Sequence, residues 1–140
     1  MNALAHGIDL VEVARIARML EEHGERFEKR CFTGGELAYA RASRRVHEHL
    51  AARFAAKEAV LKALGTGLRG GIEWTDIEVE HAAGGAPAIR LHGEAAKIAA
   101  GLGIRRWLVS LSHTDKLAIA SVIAVGDGRS MSDGSNEPRA

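Results

Sequence analysis

The stretch from Arg53 to Gly67, RFAAKEAVLKALGTG, has a helix former at almost every position and then breaks at glycine. At roughly 100° per residue, Leu50, Phe54, Leu61 and Leu64 fall within about 80° of one another. Arg53 and Lys57 fall in or beside that same apolar arc, with Val60 on the far side. Ala51, Ala52, Ala55, Ala56, Ala59 and Ala63 fill the opposite flank, and Glu58 and Lys62 stand at its edge. No purely polar face remains. A helix that is apolar or small nearly all round is a buried helix, and its charges need partners because burying a lone charge is costly. One reading is internal: Glu58 and Lys62 form an i,i+4 pair in the favourable order, and Arg53 and Lys57 snorkel toward solvent. The other reading is a ligand site, in which the cations meet an anion and the carboxylate meets a metal.

The surroundings of this helix are basic. From Arg41 to Arg69 there are seven Lys or Arg residues against Glu48 and Glu58, a local balance of 7 − 2 = +5, although the whole chain carries only +1. Such a patch points to a compact anionic ligand or an acidic partner surface. The near-neutral total argues against a general nucleic-acid binder, and 4% aromatic residues against a stacking surface for single strands. The single cysteine, Cys31, excludes an intrachain disulfide, reads as a small buried hydrophobe, and makes a cytoplasmic location the expectation. The first residues, MNALAHGIDLVEV, have no basic leader and meet an Asp early, so neither a signal peptide nor a membrane span is expected.

At 140 residues, 46% hydrophobic and 26% charged, the chain fits one globular domain. Leu4 to Leu10 alternates as a strand, with Asp9 on the face opposite Ile8. Val13, Ile16, Ala17 and Leu20 recur at helical spacing up to Gly24, with Arg15 and Arg18 off the stripe. Thr33-Gly-Gly-Glu36 has the form of a capping box that starts a helix running into the Arg41–Arg45 region. The long helix is expected over about His49 to Leu64. A β half follows: strands at Ile72–Glu80 and Ala88–Leu91 around a Gly84–Pro87 turn, a short helix at Glu94–Leu102, then Trp107–Leu111 and Leu117–Val125 joined by Ser112–Lys116. The fold class is therefore α+β, a small antiparallel sheet packed with helices, as one domain over residues 1–125. Residues 126–140, almost without apolar side chains, read as a disordered tail.

Several residues stand out by chemistry. Asp9 inside an apolar strand is unusual, and with Glu58 it would suit Mg²⁺, which takes one or two protein carboxylates and completes its shell with water and phosphate oxygens. Gly65-Thr66-Gly67 after the helix is either a C-cap or a loop whose N–H groups approach a phosphate. His113 is either turn chemistry or a phosphate donor and proton carrier.

These residues also form an ordered set. Gly7-Ile8-Asp9-Leu10-Val11, Phe32-Thr33-Gly34-Gly35-Glu36, Arg53-Phe54-Ala55-Ala56-Lys57-Glu58-Ala59 with Lys62, Gly65-Thr66-Gly67 and Ser112-His113-Thr114 run over roughly Ala5 to Val125. In this order they resemble holo-acyl-carrier-protein synthase, the small one-unit type of 4′-phosphopantetheinyl transferase. The resemblance implies that fold, a homotrimer with its active site between adjacent subunits, and Mg²⁺-dependent transfer of phosphopantetheine from coenzyme A to a serine of an acidic apo-acyl carrier protein of fatty-acid or polyketide synthesis. Adenosine 3′,5′-bisphosphate is the other product. It implies Asp9 and Glu58 as Mg²⁺ ligands; Lys62, Arg53, Gly65, Thr66 and His113 on coenzyme A, with Arg45 and Pro87 near its adenosine; and Arg15 and Arg18 on the carrier protein. Glu58, Asp9 and Lys62 are then the catalytic set, and Lys57 has no assigned partner.

Two other readings use the same residues. A Mg²⁺-dependent nucleotide or coenzyme A hydrolase would share the ion site, with water as nucleophile, but the glycine loop follows a helix rather than preceding one. A non-catalytic carrier-protein-binding module would need neither Asp9 nor Glu58.

Overall fold

The computed structural model of the chain describes residues 1–82 and 84–127. The element order is β1 (Asn2–Glu12), α1 (Val13–His23), α2 (Glu25–Cys31), α3 (Gly34–Arg41), α4 (Val46–Leu64), a 3₁₀ turn at Trp74–Asp76, β2 (Ile77–His81), β3 (Pro87–Leu91), α5 (Gly93–Gly101), β4 (Ile104–His113) and β5 (Leu117–Gly126). β1, β5 and β4 form an antiparallel sheet with β5 in the middle; β2 and β3 form a separate antiparallel ribbon.

α4 lies between these layers and is buried nearly all round, as its composition demands. It starts at Val46, three residues before the expected His49. Ala118, Ala120, Val122 and Ala124 of β5 are fully enclosed beneath it. β1 comes closer still. A Cβ on Gly7 would sit 1.9 Å from the Ala59 carbonyl oxygen and 3.2 Å from the Ala63 nitrogen, so only glycine lets the strand cross the helix at this separation. On the other side, Phe54 packs on Trp74 with ring centroids 4.8 Å apart.

The outer face of the three-stranded sheet is apolar and uncovered in the single chain. Leu4, Ile8 and Leu10 of β1, Leu108 of β4 and Leu117 of β5 are all exposed, Ile8 and Leu10 at 51% and 58%. The β1–β5 register aligns Ile8 with Ser121 and Leu10 with Ile119, so these side chains share one surface.

The structure departs from the sequence reading in four further places. Gly24, with φ of 52°, ends α1 but a new helix, α2, starts at the next residue and buries Phe27 and Cys31. The Ile72–Glu80 run is strand only from Ile77; before it, Asp76 accepts from the Glu73 N–H at 3.2 Å and closes a 3₁₀ turn, which accounts for the imperfect alternation there. β4 continues through Ser112 and His113, leaving Thr114, Asp115 and Lys116 as the hairpin turn. Gly126 still pairs within β5, opposite Asn2 and Ile104, and Asp127 bridges to Arg105 at 2.9 Å. The remainder of the stretch read as a tail, residues 128–140, lies outside the described residues.

Candidate active site

β1 and α4 bring three of the sequence candidates together. The alternation of β1 turns Asp9 inward with Gly7 and Val11, and the close crossing at Gly7 sets it against α4. Lys62 donates to Asp9 Oδ1 at 2.9 Å and to the Ile8 carbonyl at 3.0 Å. The i,i+4 pairing of Glu58 with Lys62 therefore gives way to a bridge between helix and strand. Glu58 faces the same place. Burial pushes its carboxyl above the ordinary range and the Asp9 carboxylate adds to this, while Arg15 and Lys62 oppose the shift. Two carboxylates sharing a site with one lysine make a place that favours a cation between them and an anion beside them.

This donor set fits Mg²⁺. Among the described residues no group of three or more His, Cys, Asp or Glu side chains is arranged to hold a metal. A pair of hard carboxylate oxygens with the remaining positions open is what Mg²⁺ takes when substrate phosphates complete its shell.

His113 and Arg45 belong to a second group near the other end of α4. Glu48 lies 3.4 Å from His113 Nδ1 and 3.8 Å from Arg45 Nε. Arg44, Arg45, His47, Glu48 and Asp115 line a cavity of about 350 Å³ there. Ten residues separate Glu48 from Glu58, about 15 Å along the helix axis. Within one chain the two groups are therefore distinct.

Arg53 does not join Glu58; it adjoins the second group through His49, whose ring centroid lies 5.5 Å from that of His113. It lies five residues before Glu58, about 140° away around the helix, and is 1% exposed. Its guanidinium donates to the His49 carbonyl at 3.1 Å, meets His81 Nδ1 at 3.1 Å and lies 4.2 Å from the Tyr39 ring centroid. An arginine always donates, so His81 Nδ1 must be the acceptor and the ring is neutral here. Burial and the neighbouring Arg53 charge both hold His81 below the usual imidazole range. Tyr39 stacks on His81 at 3.9 Å, and Pro87 pairs opposite His81 in the β2–β3 ribbon. Snorkelling does not describe Arg53, whose Nε is buried without a partner.

Gly65 caps α4 in the left-handed conformation, φ 77°. Its N–H and that of Thr66 return to carbonyls of Leu61 and Lys62, and the Thr66 hydroxyl donates to the Gly67 carbonyl. Those two N–H groups are spent on closing the helix, which is the C-cap reading of this loop.

Arg15 and Arg18 stand exposed on α1, as the periodicity predicts. Arg15 lies 5.6 Å over the Phe54 ring and overhangs an apolar pocket of about 220 Å³ with Met19, Phe27, Phe54, Trp74 and Arg30. Neither Arg30 nor Trp74 has a signal in the sequence: no stop-and-restart mark announces α2 beyond Gly24, and nothing local ties the Trp74 turn to α1.

Lys57 finds its partner on α3. Its Nζ is 2.8 Å from Glu36 Oε1, with neither side chain exposed. Glu36 is the N3 member of the capping box, whose hydrogen bonds with Thr33 both form. The two motifs were each visible in the sequence, but not their meeting.

The model of the 4′-phosphopantetheinyl transferase superfamily matches residues 5–120. The chain belongs to this superfamily. Its relatives among the transferases include the holo-[acyl-carrier-protein] synthase of Koribacter versatilis, 51% identical over 86% of this chain and 96% of that protein. Among solved transferases, the holo-[acyl-carrier-protein] synthase of Neisseria meningitidis superposes with a TM-score of 0.80 at 35% identity, covering 89% of this chain and 99% of that one. The synthase of Bacillus anthracis in complex with coenzyme A (3′,5′-ADP) superposes at 0.71 with 32% identity, covering 91% and 98%.

Proposed function

We propose that the chain transfers 4′-phosphopantetheine from coenzyme A to a serine hydroxyl of an apo-acyl carrier protein, with adenosine 3′,5′-bisphosphate as the second product. The observation that carries this is the meeting of Asp9, Glu58 and Lys62 across β1 and α4 in a member of the transferase superfamily. The serine oxygen attacks the phosphorus nearer the pantetheine arm, the bond from that phosphorus to the adenosine 3′,5′-bisphosphate breaks, and the hydroxyl proton leaves. Asp9 and Glu58 would hold Mg²⁺, which when bound supplies charge stabilisation on the pyrophosphate. Lys62, beside Asp9, would meet the negative charge that builds on the departing phosphate. Glu58, or a water held beside it, would accept the proton.

The separation along α4 favours a site shared between copies. Glu48, which holds His113 and Arg45, lies about 15 Å along α4 from Glu58, so a neighbouring copy would bring one group to the other. The exposed apolar face of β1, β5 and β4 is the surface that such an assembly, a homotrimer in this reading, would cover. The Arg15 overhang, with Arg30 at the same apolar pocket and Arg18 exposed on α1, fits an acidic carrier-protein surface. Among the described residues no helix is long and apolar enough to cross a membrane.

The test is an intact mass of apo-acyl carrier protein after incubation with the enzyme, coenzyme A and Mg²⁺. A phosphopantetheine adduct that disappears in Asp9→Ala and Glu58→Ala is expected. Coenzyme A consumed with the carrier unmodified would favour a hydrolase, and no turnover would favour a binding module.

A further inference from the structure

We propose that Lys57, acting through Glu36, is a positioning residue that sets how Glu58 presents its carboxylate to Asp9. The inference rests on the reading of Asp9 and Glu58 as a cation-binding pair.

Lys57 is 0% exposed, and its ammonium meets three acceptors: Glu36 Oε1 at 2.8 Å, the Trp74 carbonyl at 3.1 Å and the Ile77 carbonyl. An ammonium has three protons, so each has a destination. Glu36 is equally committed. Its Oε1 accepts from the Thr33 N–H at 2.9 Å and its Oε2 from the Val79 N–H at 2.9 Å. The acceptors around Lys57 thus come from α3, the 3₁₀ turn and the start of β2. Together these segments grip α4 at one residue.

Glu58 is the next residue, about 100° around the axis. Its surroundings act on it through burial and the charges of Asp9, Arg15 and Lys62, and among the described residues no hydrogen bond fixes its carboxylate. Its direction is then inherited from the rotation of α4. A carboxylate some 5–6 Å from a helix axis moves about 1 Å when the helix turns by about 10°. Displacement of that size can cost about 100-fold in rate. On the β1 side, Ala59 and Ala63 set the spacing at the Gly7 crossing and Lys62 ties α4 to Asp9. A buried lysine with fixed acceptors on the opposite side supplies the stop.

The experiment compares wild type with Lys57→Met/Glu36→Gln, which removes both buried charges together, and with Glu36→Asp, which keeps the ion pair but shortens its arm. Mg²⁺ binding is read by calorimetry on each folded protein, alongside kcat and the KM for carrier protein. The expected result is Mg²⁺ binding weakened about tenfold or more and kcat lowered, with the carrier KM within about twofold because Arg15 and Arg18 sit on α1. Should the double variant fail to fold, Glu36→Asp carries the test through the same readings. Folded variants with wild-type Mg²⁺ affinity and kcat would overturn the proposal. A wild type that binds Mg²⁺ but modifies no carrier would instead strike the transferase reading, leaving the calorimetric comparison to decide the positioning role.

Discussion

Gly7 of β1 lies against Ala59 of α4 so closely that a Cβ on Gly7 would meet the Ala59 carbonyl oxygen at 1.9 Å. The obstacle is backbone, which cannot swing aside like a side chain. Gly7→Ala is expected to lower stability by more than about 3 kcal/mol, or to part β1 from α4 altogether. Urea unfolding would measure the first outcome. A variant within about 0.5 kcal/mol of wild type would mean that the crossing is looser than described.

The Lys57–Glu36 pair makes a separate prediction about stability. Lys57→Met leaves the Glu36 carboxylate buried without its cation, and a loss of about 3–5 kcal/mol is expected. Burial disfavours the charged lysine and holds its pKa below the ordinary value, with Glu36 opposing this. Removing both charges therefore costs less than removing one. Chemical denaturation of Lys57→Met beside the double variant should show the double variant as the more stable.

Glu58 should trade stability for function. Its carboxyl is raised from 4.5 by burial and by Asp9. A raised folded-state value means that the stabilising contribution of the protonated form is present below the unfolded value and lost as pH rises through the folded one. At neutral pH the ionised group is a liability. Glu58→Gln should abolish transfer while raising Tm by about 1–2 °C at pH 7, a small effect because the carboxylate is partly solvated. At pH 4 the two melting curves should coincide. A lower Tm for the variant at pH 7 would contradict the assignment.

Carrier docking should depend on charge at α1. Arg15→Glu and Arg18→Glu are each expected to raise the KM for carrier protein about tenfold while leaving that for coenzyme A within about twofold. The effect should shrink as salt is added. Steady-state kinetics at two ionic strengths will check this, and an equal rise in both KM values would argue against a docking role.

The open sheet face predicts assembly. Ile8→Glu places a charge in the centre of the apolar surface and is expected to give a monomer by light scattering, with transfer activity lost alongside. A wild-type chain that is itself monomeric at working concentration would remove the shared-site reading.

Much of this protein is legible locally. The buried character of α4 follows from periodicity, because a helix without a polar face must be surrounded. The inward turn of Asp9 follows from the two-residue period of a strand, and the start of α3 from the Thr33–Glu36 capping box. Each depends on neighbours a few residues apart. The failures were local competitions: a helix restarting straight after Gly24, and a 3₁₀ turn outcompeting strand before Ile77. What only the tertiary structure decided is pairing. Lys62 bridging to Asp9 rather than Glu58, Lys57 ending on Glu36, and Arg53 turned into the Tyr39–His81 stack all join residues brought together by the packing of α4 against distant elements. The sequence by itself determined that charges on this helix needed partners, since a desolvated charge is too costly to leave alone. Which partners they have depends on distances across the core, and those exist only once the layers have closed around the helix.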